Sequence, residues 1–234
     1  YSRKLWGVNT KKLSISVSGN RLKGLSIYMI IVEYFFGKKI KTQHLDGSFY
    51  YPDFGIGSIF DGMVKLCNKS KFNRNSRVTS INHSNNKIDS IIINGKTTIM
   101  INELISTMPI NTLLANLNPL PPSQILEIAN EIKFRNIILI CFFLNKNSIN
   151  QNGSMYFPSN EYSFTRVYEP KNRCSKMSPT NKTSLIVEVP CQPSDEIWNN
   201  QSQLIVDVKN DLVNIGFFEE DDIIDLYIHK ISHA

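Results

Sequence analysis

Between residues 77 and 101 apolar and polar side chains alternate with a period of two, and Asn94-Gly95 interrupts the alternation. An Asn-Gly pair between two such runs is the strongest short-range hairpin signal a sequence can carry, because the tight turn joining antiparallel strands needs positive φ at both central residues. Residues 77–82, 87–93 and 97–101 are therefore expected as consecutive strands of a β-meander, which excludes an all-helical fold. Around it the period lengthens. Ile59, Phe60, Met63, Val64 and Cys67 share one helical face over 59–68, with Ser58 placed as N-cap and Asp61 in the first turn. Residues 111–117 and 123–132 read as helices, the second entered through Pro121-Pro122. Residues 136–144 are almost continuously apolar, as in a central strand covered on both faces. Short strands are expected at 104–109, 154–157, 164–169, 183–189 and 222–230, and one long amphipathic helix capped by Ser194 over 194–215. Residues 24–36, apolar almost all round, suit a buried helix or strand. The fold class is mixed α/β.

A chain of 234 residues is long enough for one large or two small domains with a substantial core. The net charge of +6 is spread along the chain, and only Lys38, Lys39 and Lys41 cluster. No basic stripe interleaved with aromatics is present, which argues against a nucleic-acid partner. Cys67, Cys141, Cys174 and Cys191 lack the close spacing of a zinc site, so no metal is expected and reduced thiols of a cytoplasmic protein are the plainer reading. No apolar run reaches the ~18 residues of a membrane span. The chain opens on Tyr1 without an initiator methionine and stops at His233-Ala234 behind an apolar run, so it reads as a piece of a longer protein.

Two strings are chemically loaded: Y-S-R-K-L-W-G at 1–7 and F-T-R-V-Y-E at 164–169. Each places aromatic rings beside a fixed cation, a combination suited to a ligand with a flat ring and negative charge. The plainer alternative makes Trp6 a core residue and leaves Arg3, Arg21 and Arg166 solvated or ion-paired. His44, His83, His229 and His233 are isolated, and no side chain is named as catalytic acid, base or nucleophile.

In order along the chain, a glycine turn (Gly55-Ile56-Gly57) leading into a helix, R-V-x-x-I from Arg77, a hairpin, and I-S-T-M-P at 105–109 resemble the middle of flavoproteins in the amine oxidase and protoporphyrinogen oxidase superfamily. The opening string and F-T-R-V-Y-E-P-K-N at 164–172 resemble most the branch that contains UDP-galactopyranose mutase. The resemblance implies an FAD-dependent oxidoreductase or mutase whose substrate is a UDP-sugar. It sets residues 51–111 as the returning part of an FAD-binding, Rossmann-like domain, 1–50 as a helical part of the substrate domain, and 112–234 as that domain's mixed sheet and helices. The adenine and ribose would lie against Val78 and the turn Ser106, Thr107, Met108 and Pro109, with Gly55 and Gly57 on the cofactor side. Tyr1 and Trp6 would hold the uridine ring, and Arg21 and Arg166 would serve substrate or diphosphate. The alternative for 104–109 is an ordinary meander whose Ser and Thr satisfy a turn. The family's Gly-rich fingerprint is missing from these residues, so the chain on its own is expected to be inactive. A flavin amine oxidase or protoporphyrinogen oxidase-type dehydrogenase, and a non-enzymatic anion-binding module, stay open as other readings.

Overall fold

The computed structural model describes residues 2–14, 34–35, 50–67 and 72–233, so Tyr1, Arg21 and most of the apolar stretch at 24–36 lie outside the described residues. The chain divides into two compact units: residues 1–64 with 135–232, and residues 65–134 with 233–234.

In the smaller unit, β1 (Val78–Ser84), β2 (Lys87–Ile93) and β3 (Thr97–Met100) form the expected antiparallel meander. Asn94 and Gly95 have φ of 52° and 68°, the positive values that the hairpin requires. Asn85 and Asn86 (φ 48° and 61°) turn the chain between β1 and β2 by the same device. β4 (Leu117–Asn118) runs parallel to β1 and makes this sheet mixed, in the order β3-β2-β1-β4. Two helices, α3 (Ile110–Ala115) and α4 (Ser123–Glu131), complete the unit, and Ile81 and Ala129 are buried in it.

The larger unit is built on a five-stranded sheet of order β6-β7-β8-β5-β9, antiparallel at every pairing. Its strands are β5 (Asn136–Leu144), β6 (Met155–Tyr156), β7 (Arg166–Tyr168), β8 (Thr183–Cys191) and β9 (Ile223–Ile231). Ile138, Ile140, Phe142 and Leu144 alternate inward from β5 and meet Leu185, Val187 and Val189 of β8. Helix α6 (Ser202–Ile215) covers this face with Leu204, Val208 and Leu212, one side chain per turn. Burying a side chain of this kind is worth about 1.5–3 kcal/mol, so the layer supplies most of the unit's cohesion.

Four expectations are corrected. β5 is central but not fully covered on both faces: Ile137, Leu139 and Cys141 on its second face are half-buried and Phe143 is 40% exposed. The helix expected over 194–215 is broken into α5 (Glu196–Asn199) and α6, because Asn200 is extended and the Gln201 amide donates to the carbonyls of Ile197 and Trp198. Residues 104–109 form no strand, and Ser106 Oγ instead accepts from the Met108 N–H at 3.2 Å. Helix α2 (Gly57–Leu66) starts one residue before Ser58, whose hydroxyl donates to the Gly55 carbonyl instead of capping. Its apolar stripe of Ile59, Phe60, Met63 and Val64 is exposed.

A Cβ at Gly95 or at Gly62 would meet no atom within 4 Å, yet only Gly95 has positive φ. Gly95→Ala is expected to destabilise by about 1 kcal/mol for conformational reasons alone. Gly62→Ala, inside α2, should instead stabilise by about 0.5–1 kcal/mol. Urea unfolding of both variants, followed by circular dichroism, checks the opposite signs.

Candidate functional site

Residues directly opposite one another in an antiparallel sheet share a face, so the register of the five strands lays out the side of the sheet turned away from α6. One row reads Tyr156, Arg166, Glu188, Leu139 and His229 from β6 to β9. The next reads Tyr168, Ile186, Cys141 and Tyr227, and a third Ser184, Phe143 and Asp225. Phe143, Ser184, Asp225, Ile224, Met177 and Lys182 help to line a pocket of about 400 Å³. This outward face carries the cations and aromatics; the inward face is hydrocarbon.

Arg166 grips the Glu188 carboxylate in a two-point fork, with Nε donating to Oε2 at 2.9 Å and Nη2 to Oε1. The carboxylate holds the guanidinium's pKa above its ordinary value. Arg166 also lies 5.3 Å from the Tyr168 ring centroid. Arg173, which the sequence reading missed, lies 5.2 Å from the same ring and 6.0 Å from that of Tyr51. Among the described residues Arg173 forms no ion pair. The Glu188 carboxylate is thus taken up by Arg166, while Arg173 meets the Tyr168 and Tyr51 rings. Burial pushes the Tyr168 phenol upward, Glu188 adds to the shift and the two arginines oppose it. Tyr168 therefore stays neutral, a flat hydrogen-bonding surface between cations.

The opening string divides its work differently from the expectation. In α1 (Ser2–Trp6), Lys4 Nζ donates to the carbonyls of Phe157 (3.0 Å), Ser159 (2.8 Å) and Phe164, tying the helix to the strand ends that flank Arg166. Burial lowers the Lys4 pKa. Arg135 Nη2 donates to the Lys4 carbonyl at 3.2 Å. Gly7 has φ +69°, a backbone conformation strained for any residue with a Cβ, and a Cβ there would also push aside the end of the Arg135 side chain. Trp6 is left 39% exposed at the end of this anchored helix, available for stacking. Its expected companions, Tyr1 and Arg21, fall outside the described residues.

Glu169 is fully buried and, among the described residues, has no cationic partner. Its carboxylate accepts from the N–H groups of Ile149 (3.1 Å) and Asn150 (3.3 Å), from the Thr183 hydroxyl, and from the Asn172 amide at 3.3 Å. Asn172 donates as well to the carbonyls of Asn150 and Asn152, while Lys171 Nζ donates to those of Asn147 and Lys182. The E-P-K-N segment is thus a clamp that fixes residues 147–152 and the start of β8. A run of polar residues directly behind an aromatic strand was the available signal.

In the smaller unit the structure brings Val78 and the 106–109 turn together through Asn116, whose Nδ2 lies 3.4 Å from the Val78 carbonyl and 3.9 Å from Met108 Sδ. Thr107 is exposed and Ser106 half-buried at this corner. Gly55, in the larger unit, takes φ +96° in a turn against Met177, and Gly57 opens α2 with nothing near its Cα hydrogens. Among the described residues no group of His, Cys, Asp and Glu could hold a metal ion, and no helix is long and apolar enough to cross a membrane.

No family model matches the chain. Among solved structures it is similar over its whole length to reduced UDP-galactopyranose mutase, at 18% identity and a TM-score of 0.79, covering 51% of that chain. Over 76% of its length it is similar to a protoporphyrinogen oxidase-like protein from Exiguobacterium sp. 255-15, at 14% identity and a TM-score of 0.62, covering 39% of that chain. Over 74% it is similar to a putrescine oxidase, at 12% identity and a TM-score of 0.56, covering 38% of that chain. The chain spans about half the length of the mutase and less of the other two. It has the fold these proteins share, which is the fold that its motifs resemble.

Glu169→Ala would leave two buried N–H groups and a hydroxyl without an acceptor, each costing about 1–3 kcal/mol. A loss on the order of 3 kcal/mol or more is expected. Glu161→Ala, at an exposed site whose carboxylate accepts from the Ser159 hydroxyl, should change stability by less than about 0.5 kcal/mol. Denaturant unfolding of the two variants separates them.

Proposed function

We propose that the chain is the central part of an FAD-dependent enzyme of the amine-oxidase-like superfamily that acts on a nucleotide sugar, as its likeness to UDP-galactopyranose mutase suggests. The observation that carries this reading is the whole-length fold match to the mutase, combined with the cluster of Arg166, Arg173 and neutral Tyr168 at the outward side of the sheet; Trp6 stands exposed on the separate helix α1. Trp6 would stack on the base. Arg173, with Arg166 braced behind it by Glu188, would meet the diphosphate, where a planar fork matches paired oxygens better than an ammonium. The flavin supplies the redox or nucleophilic centre when bound. The chain's own residues bind, orient and neutralise charge.

The corner at Val78, Asn116 and Ser106–Pro109 suits the adenosine end of that cofactor. A strand and a turn are held together there by one amide, and Thr107 is exposed in that turn. Ser106 is already engaged by the Met108 N–H, so the proposal leans on Val78, Thr107 and the backbone. The four cysteines are free, which supports a reducing, cytoplasmic setting.

A second reading is an oxidase acting on a less polar substrate. It is favoured by the apolar character of Ile186, Cys141, Phe143 and Tyr227 on the same face and by the neighbouring pocket. A simple anion-binding module would leave the Val78–Asn116 corner without a role.

In the intact protein, UDP should bind and quench Trp6 fluorescence, with Trp6→Ala losing about 1–3 kcal/mol of affinity if stacking has its usual worth. Arg173→Ala should weaken UDP at least as much as it weakens uridine, because the lost contact is with phosphate. Calorimetry that shows no UDP binding, with an amine or porphyrin-like compound reducing the flavin, would support the oxidase reading instead.

Val78→Pro would set a proline ring at the start of β1, beside the Asn116 amide at the adenosine corner, and disturb the strand there. The FAD content of the purified protein should fall sharply, while the exposed change Lys87→Ala leaves it unaltered. Equal FAD retention in the two variants would remove Val78 from the cofactor site.

A further inference from the structure

The chain holds two Asn-Gly pairs, Asn94-Gly95 and Asn152-Gly153. Such a pair is chemically labile. Glycine has no Cβ to shield its backbone nitrogen, which can reach the side-chain carbonyl carbon of the asparagine before it. By sequence the two pairs are equivalent, but the fold treats them in opposite ways.

Asn94 is held at the polar atoms this reaction needs. Its Oδ1 accepts from the Arg77 N–H at 2.9 Å, and its Nδ2 donates to the Asn75 carbonyl at 3.2 Å. The Gly95 N–H, whose nitrogen would have to attack, donates to Thr79 Oγ1 at 2.9 Å. Asn152 and Gly153 are exposed, and among the described residues no hydrogen bond engages the Asn152 side-chain amide or the Gly153 N–H. Only the Asn152 backbone is tied: its N–H donates to Asn150 Oδ1 at 2.7 Å, and its carbonyl accepts from Asn172 Nδ2 at 3.0 Å. A Cβ at Gly153 would meet nothing within 4 Å, so the nitrogen stands in open space.

We propose that Asn152-Gly153 is a modification site at which the folded chain converts asparagine to isoaspartate, and that the product loosens the clamp around Glu169. Hydroxide removes the Gly153 amide proton, the nitrogen bonds to Asn152 Cγ, and the Cγ–Nδ2 bond breaks to release ammonia. Water then opens the cyclic imide. Opening at Cγ leaves aspartate, and opening at the former backbone carbonyl leaves isoaspartate. In isoaspartate the chain runs on through Cγ, and the carbonyl that Asn172 holds becomes a carboxylate outside the main chain. The loop also gains a backbone methylene close to the Ile149 and Asn150 N–H groups that satisfy Glu169. The proposal stands independently of the flavin reading.

The test incubates the purified protein in warm, mildly alkaline buffer and maps its peptides by mass spectrometry, with electron-transfer fragmentation to tell isoaspartate from aspartate. Conversion at Asn152 should run roughly tenfold or more ahead of Asn94, which must first give up its hydrogen bonds. Unfolding in guanidinium chloride should bring the two rates together. Thr79→Val removes the acceptor of the Gly95 N–H and should speed conversion at Asn94 only, whereas Gly153→Ala should slow it at Asn152 only. In the isoaspartate fraction, resolved by ion exchange, amides of residues 147–152 should exchange with deuterium faster than in fresh protein. Asn94 converting as fast as Asn152 in the folded protein, or a rate gap that persists after unfolding, would overturn the site. Unchanged exchange over 147–152 would overturn its effect on the clamp.

Discussion

The larger unit depends on one constraint, the register of β5 against β8. The strands pair without a break from Asn136 opposite Cys191 to Leu144 opposite Thr183. Side chains alternate, so a slip of one residue would turn every buried group of one strand to the outside. Burial of Ile138, Ile140, Phe142, Leu185, Val187 and Val189 under α6 forbids that slip. The same register sets Glu188 opposite Arg166 and Ile186 opposite Tyr168. Hydrocarbon packing on one face thus determines where the charges stand on the other.

The loaded strings prove to be mixtures of display and support. In the downstream string Arg166 and Tyr168 face outward, Val167 enters the core, and Glu169 is buried as the acceptor that gathers a loop and the start of β8. Lys171 and Asn172 extend this clamp. In the opening string Lys4 and Gly7 anchor the helix, and Trp6 is left exposed at its end. A buried carboxylate is costly unless its oxygens are satisfied. Here they are, by donors drawn from three separate segments, so the clamp and the position of Arg166 rise and fall together.

Local signals in the sequence were reliable where local chemistry decides the structure. The Asn94-Gly95 turn, β2 and β5 fall where pattern placed them. What pattern could not show was which face of β5 is covered, since hydrophobicity reports a preference for burial and not the presence of a cover. The break at Asn200 and Gln201 also escaped, because the apolar period runs on through it while a side-chain amide takes over two helix carbonyls. Arg173 and Glu188 were invisible as site residues because their importance comes from cross-strand register and ring contacts. The pairing of Val78 with the 106–109 turn came from family resemblance, and Asn116, which joins them, had no motif to mark it.

The central claim is that ligand meets the outward row of the five-stranded sheet around Arg166, Tyr168 and Arg173. Hydrogen–deuterium exchange of the protein with and without saturating UDP tests it most directly, because it reports position along the chain without altering any residue. The account predicts slower exchange in peptides spanning 164–173 and 184–188. Protection confined to β1–β3, or none at all with UDP demonstrably bound, would contradict it.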